Sequence, residues 1–384
     1  MKKIIILFIV CLQIISLLCK AQDSVLVDHL IKRIAALQTT NDNFFLPGIF
    51  PSYISNNENF STKKRDNNIF FNGLIAYTLN DIRPYLKPQE QQEIEATLNN
   101  ANPVFQKFKN KYRNTYNFWR TDSAYEYPYA GVLKFTRKIS LPDDMDDTVL
   151  SLLATDADDS TAKAVHALMQ QFVNSDSNKV RSMLDVYDRL PAYSTWFGKK
   201  FPVVFDVSVL CNILSFVQAY NLEWTSADTA SLAVITATIK HNYHISLPVY
   251  ASPYYPQTSL ILYHIARLMS IKEIPELEAL KTKLVIDAAK QLAQSDNLLE
   301  RVILSSAILK WGYMPPNIAL PSTAEITNTI EQNDFCFFTG NIPSYFKDVS
   351  RFIATKKKIG FFYHYCPAYN DVLLLEYLTL KAQL

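Results

Sequence analysis

Glycine is scarce in this chain, with 7 among 384 residues. A phosphate-cradling loop needs glycines where backbone N–H groups close on the ligand. Neither GxGxxG nor GxxxxGK occurs, so nucleotide chemistry of that kind is disfavoured. Long apolar runs are also missing, apart from one at the start. Cysteine is sparse: beyond the first 21 residues only Cys211, Cys336 and Cys366 remain. Three cysteines cannot all pair, and their spacing fits no zinc pattern. One disulfide, Cys336–Cys366, is open to them in an oxidising compartment; buried free thiols are the alternative. A strong charge of either sign is absent too. The formal net charge of +2 becomes −1 once Lys2, Lys3 and Lys20 are removed, which gives no reason to expect a nucleic-acid partner.

The one apolar run, Ile4 to Leu18, follows Lys2 and Lys3 and precedes Cys19-Lys20-Ala21. A basic start, an apolar stretch and a small residue before the cut form the pattern of a secretory signal peptide. Residues 1–21 are therefore expected to be a signal peptide, and 22–384 a single exported domain, periplasmic or secreted. A lipid anchor on Cys19 is the alternative, although Leu18 is large for that role. The run is shorter than the ~20 apolar residues a membrane span needs, and no later segment is long enough, so no transmembrane segment is expected after cleavage.

What is present is helical periodicity, with 49% hydrophobic residues, 22 Tyr and 23 Phe. Apolar residues three and four apart predict helices over 25–37, 69–82, 88–108, 148–154, 161–173, 179–190, 207–220 and 227–240. The same pattern covers 259–269, 276–293, 298–310, 324–331 and 369–382. Short strands are expected only over 335–338 and 358–364. No linker, low-complexity tract or strict repeat interrupts the series. The expectation is an all-α chain, with paired helices closing as an α/α toroid around a cavity rather than a solenoid, which would show a clearer period.

The densest chemistry is acidic. Seven aspartates fall between Asp143 and Asp159, without a Lys or Arg among them. Asp144-Met145-Asp146-Asp147-Thr148 fits DxDDT, and Asp156-Ala157-Asp158-Asp159-Ser160-Thr161 fits DxDD followed by Ser/Thr. Asp143 to Asp147 also fits DDxxD, a spacing suited to Mg²⁺ and diphosphate, but no second metal motif accompanies it. DxDD suits a Brønsted acid. Protonating an alkene requires a neutral, unusually acidic carboxyl group, and neighbouring carboxylates in an apolar cavity can keep one protonated. Aromatic faces then stabilise the resulting cation. Helix capping competes with this reading, since aspartate in a first turn is favoured by the helix dipole. Capping accounts for one or two aspartates per helix, not for four and then three.

These two motifs, in an all-helical chain, resemble the acid motif of class II terpene cyclases and the wider terpenoid-cyclase/protein-prenyltransferase toroid superfamily. Tyr116-Asn117-Phe118-Trp119-Arg120, Pro142 to Thr148, Asp206 to Leu214 and Tyr254-Tyr255-Pro256 resemble, in that order, segments of bacterial proteins of this type. The resemblance covers roughly residues 110 to 270. It implies an α/α toroid that binds a small apolar or isoprenoid-like ligand. Asp146 would be the protonating residue, with Asp144 and Asp147 beside it. In the second motif the match is Asp158, flanked by Asp156 and Asp159. Trp119, Arg120, Tyr254 and Tyr255 would contact the substrate. The glutamine–tryptophan repeats of triterpene cyclases and a zinc-binding Asp/Cys/His trio are both absent, and no cofactor is implied.

Weaker signals complete the reading. His241 and His244, at i and i+3, could share a metal but lack a third ligand. His264 sits on an apolar stretch and reads as a core histidine. Arg120 and Arg267 could pair with the aspartates. The aromatic run Tyr112, Tyr116, Trp119, Tyr125, Tyr127 and Tyr129 would suit a sugar cleft as well as a terpenoid cavity. A carbohydrate-active enzyme using two carboxylates and a non-enzymatic helical binding protein are therefore the other two readings.

Overall fold

The computed structural model describes residues 22–122, 128–129, 141–180, 184, 187, 189–198, 201–346 and 348–383. Helix α1 covers 22–37. Strands β1 (Ser52–Ser55) and β2 (Lys64–Asp66) precede α2 (Phe70–Ile82) and α3 (Pro88–Phe105). Next come α4 (Met145–Ala154), α5 (Asp159–Met169), α6 (Val207–Ala219) and α7 (Ser226–Lys240), then the single turns α8 (Tyr243–Ser246) and α9 (Pro248–Ala251). They are followed by α10 (Thr258–Ile271), α11 (Pro275–Glu278), α12 (Lys281–Gln294), α13 (Leu298–Lys310) and α14 (Thr323–Glu331). Strand β3 (Phe338–Asn341), α15 (Asp348–Lys356), β4 (Phe361–Tyr365) and α16 (Pro367–Lys381) complete the chain.

The all-α toroid expectation is corrected by this architecture. The protein is 56% helix and 8% strand, and its strands form one antiparallel sheet in the order β2-β1-β4-β3. It is a mixed α/β fold. Strands β1 and β2, SYIS and KRD, lack clear apolar alternation. Long-range pairing makes them strands: Tyr53 sits opposite Tyr365, more than 300 residues away. Strand β3 begins at Phe338, where the expected strand ends. Two further expectations also change. The described residues of 179–190 contain no α-helix, and Val180 instead bridges Val203. The expected helix over 276–293 is broken into α11 and α12.

Six helices form the interior. α2 packs on α4, α4 on α6, α6 on α10, α10 on α13 and α13 on α16, which packs back on α2. Their sequences explain their place. In α6 every residue from Val207 to Gln218 is buried, and a helix apolar on all sides is one enclosed by protein. By contrast, α12 buries only Leu284, Asp287, Ala288 and Leu292, and so lies outside.

Two aspartates set the geometry around the cavity described below. Asp144 caps α4, its Oδ1 accepting from the Asp147 N–H at 2.7 Å. Asp206 caps α6 by accepting from the Ser208 and Val209 N–H groups. Its other oxygen accepts from the Tyr254 N–H at 2.7 Å, which fixes the Tyr254-Tyr255 turn beside α6.

Candidate functional site

The chain leading into α4 is clamped from both sides. The Asp144 N–H donates to the Tyr116 carbonyl at 3.3 Å, and the Met145 N–H to the Thr195 carbonyl at 2.8 Å. The Thr148 hydroxyl donates to the Asp144 carbonyl at 2.6 Å and accepts from the Tyr116 N–H at 3.0 Å. The D-D-M-D-D stretch is thereby held rigidly at the start of a buried helix. Asp144, Asp146 and Asp147 are all but fully buried, and all three line one cavity of about 870 Å³, counting its open mouth. The rest of the wall is mostly aromatic and aliphatic. Phe70 comes from α2, Phe118 and Trp119 from the loop before α4, Trp196 from the loop before α6 and Tyr254 from the loop before α10. The sheet contributes Phe338, Phe362 and His364, and Tyr345 closes the ring.

The three carboxyls differ in their partners. Asp146 accepts from Asn212 Nδ2 at Oδ1 (2.7 Å) and from the Tyr255 hydroxyl at Oδ2. Burial pushes its carboxyl up, while those two donors and the field of Arg267 pull it back. Burial pushes Asp144 up to about 7, opposed by its hydrogen bonds with Asp147 and reinforced by the charges of Asp146 and Asp143. Burial also drives Asp147 well above the ordinary carboxylate range, with the charge of Asp144 adding to the effect. Its Oδ1 is buried and accepts no hydrogen bond. Two adjacent buried carboxylates cannot both ionise cheaply, so the charge of Asp144 raises Asp147.

Asp143 is not part of this trio. Arg113 grips it with two hydrogen bonds, at 2.6 and 2.5 Å, and the Thr115 hydroxyl donates a third. That engagement removes Asp143 from a DDxxD metal site. Among the described residues, no group of three His, Cys, Asp or Glu is arranged to hold a metal ion.

The second motif belongs elsewhere. Asp156, Asp158 and Asp159 are exposed, and they border a shallow polar depression with Lys163 and Asn221. Asp158 caps α5, accepting from the Thr161 N–H at 2.9 Å and its hydroxyl at 2.8 Å. A bond from the Ser160 hydroxyl, with those from Thr161, holds its carboxyl well below the usual range. An anion so stabilised in water is a cap and a poor proton donor.

Among the expected contact residues, Trp119 and Tyr254 line the cavity, and Tyr255 binds Asp146. Arg120 does not reach it; the guanidinium pairs with Asp122 at 2.9 and 3.1 Å. Arg267 is buried over the rings of Tyr77 and Tyr263 and forms no ion pair with the aspartates. Tyr116 is buried, Tyr112 is exposed, and Tyr129 donates to the Thr62 carbonyl; Tyr125 and Tyr127 lie outside the described residues. His244 is buried against Asp287 at 3.1 Å, while His241 stacks on Tyr243 at the surface, so the two do not converge. His264 is a core residue, donating from Nδ1 to the Leu260 carbonyl and pushed down to about 3 by burial. All three described cysteines are free and buried. Cys336 Sγ instead bonds the Phe338 carbonyl at 2.9 Å.

The sequence pattern missed Asn212, Trp196, Phe338 and His364. Asn212 is the one polar residue of a Val-Leu-Cys-Asn-Ile-Leu run, a signal that was available. The others lie in loops or strands whose facing direction no local pattern discloses.

No protein-family model matches this chain, and no curated protein matches it in sequence. No described helix is long and apolar enough to cross a membrane.

Proposed function

We propose that this is an exported protein that binds an apolar, isoprenoid-like ligand in the aromatic cavity and protonates a carbon–carbon double bond with Asp146. The observation that carries this reading is the placement of three buried aspartates in a wall that is otherwise mostly aromatic and aliphatic. A good donor to carbon must hold its proton in the resting state and surrender it readily. Burial supplies the first condition. The second follows from the Tyr255 and Asn212 donors, which stabilise the Asp146 carboxylate as the proton leaves. A negative charge on Asp144 nearby balances the cation. The faces of Phe118, Trp119, Trp196 and Phe338 favour that cation over water.

A glycosidase reading fits less well. Two carboxylates with water between them act on a polyol, whereas this wall offers few polar groups besides the aspartates.

The test uses the full chain with a series of acyclic polyprenyl hydrocarbons of increasing length. Binding should quench the fluorescence of Trp119 and Trp196, and turnover in D₂O should place deuterium on carbon. Asp146→Asn should abolish labelling while preserving binding and the fold. Equal labelling by wild type and Asp146→Asn would reject the assignment.

A further inference from the structure

The cavity holds a second titratable element, across the sequence from the aspartates. His364 on β4 lines the same cavity and is 4% exposed. It is the one titratable nitrogen among the described lining residues. Its Nδ1 lies 3.3 Å from Asp66 Oδ2. The contact is within ion-pairing distance but off the line of a good hydrogen bond, because Nδ1 has no bond by stricter geometry. That contact sets where the ring lies relative to Asp66. Asp66 is itself fully buried and fixed: Trp119 Nε1 donates to it at 3.0 Å and Asn68 Nδ2 at 2.7 Å. The edge-on rings of Phe118 and Phe338, with centroids at 5.3 and 5.1 Å, hold the imidazole plane.

The other ring nitrogen is left open by glycine. Gly340 of β3 also lines the cavity, and a Cβ there would stand 3.6 Å from His364 Nε2. A single methyl would just touch Nε2, and a branched side chain would cover it.

We propose that His364 is the base that ends the reaction and that Asp66 is its positioning residue. This rests on the acid role given to Asp146. The step balances without an oxidant. The Asp146 proton and the alkene π pair form a C–H bond, leaving the adjacent carbon cationic. A C–H bond next to that cation then breaks. Its electron pair becomes a new double bond, and the proton passes to His364 Nε2. The product is an isomer of the ligand. Asp146 has lost one proton and His364 has gained one, and exchange with solvent resets both. Asp66, 3.3 Å from Nδ1 on the other side of the ring, keeps Nε2 directed at the cavity during the transfer.

The experiment follows acyclic polyprenyl hydrocarbons through the full-chain protein in D₂O and separates deuterated alkenes from deuterated alcohols by mass. Alcohols report cations captured by water for want of a base. Wild type should yield mainly deuterated alkene. His364→Gln should raise the alcohol-to-alkene ratio by about tenfold or more. Gly340→Val, which leaves His364 and Asp66 in place, should act in the same direction by covering Nε2. Asp66→Asn should shift the ratio less, and a merely structural defect would lower both products together. Deuterium in wild-type product with an unchanged ratio in His364→Gln and Gly340→Val overturns the base while leaving the acid standing. No deuterium in wild-type product overturns the acid, and the base falls with it.

Discussion

The Tyr255 hydroxyl donates a hydrogen bond to Asp146 Oδ2 across 109 residues of chain. Tyr255 is completely buried and its own ionisation is pushed far up, so the phenol stays a donor. Asp146 is thus tied to the turn that Asp206 pins beside α6. Tyr255→Phe should leave ligand binding intact, as the ring still packs. It should slow any proton delivery to carbon by about tenfold or more, because one charge-assisted hydrogen bond to the departing carboxylate is worth about 1.5–3 kcal/mol. Labelling rates in D₂O for the two proteins check this.

The buried aspartates make stability depend on pH, with a definite sign. Asp144 and Asp206 are each held at about 7 in the folded protein by burial, above their unfolded value near 4. The folded chain binds more protons in that interval. The stability they contribute is complete below about pH 4 and lost as pH rises through about 7. His264, pushed down to about 3, acts oppositely below its unfolded value of about 6.5. The aspartates therefore act without that opposition above about pH 6.5. Urea midpoints should fall between about pH 6.5 and 8, and Asp144→Asn should flatten that fall. A midpoint that rises over this range would contradict the burial argument.

Asp143 predicts a purely structural effect. Arg113→Ala strips a buried carboxylate of its bidentate partner and should cost about 3 kcal/mol, measured by chemical denaturation. The double variant Arg113→Ala with Asp143→Asn should recover part of this loss, because the uncompensated charge is gone.

The second acidic motif separates capping from chemistry. Asp158→Ala removes the α5 cap, so a small drop in melting temperature is expected, with ligand binding and labelling unchanged. Lost labelling in this variant would return Asp158 to consideration as an acid.

The thiols give a further check. Cys211, Cys336 and Cys366 are free and buried, and burial pushes each thiol up. A thiol-reactive reagent should leave these three unmodified in the native protein and titrate them in denaturant. Reductant should leave the melting temperature of the 22–384 chain unchanged.

Much of the helical framework was legible because it rests on local periodicity. Val207 to Gln218 and Leu298 to Lys310 carry apolar residues at three- and four-residue spacing broken by few polar ones. The sheet was only half legible. Residues 361–365 are aromatic throughout, whereas Lys64-Arg65-Asp66 becomes a strand through its partner alone. Helix α15 was missed because its period is short and lies between two strands. The excess of aspartate over what capping requires falls partly in the cavity wall, at Asp144, Asp146 and Asp147, and partly at the exposed start of α5. Asp144 does both jobs at once, capping α4 and lining the cavity.

The sequence alone determined that Asp144 to Asp147 and Asp156 to Asp159 both begin helices, since cap and dipole preferences act within a few residues. It also determined the abundance of aromatic side chains. Only the tertiary structure decided between the two motifs. Packing of α4 against α2 and α6 withdraws the first set from water and drives its carboxyls up, while the start of α5 stays in solvent and its cap remains an anion. The same DxDD spacing lies buried in a cavity wall in one place and is an exposed cap in the other, because desolvation is a property of the surroundings and not of the spacing.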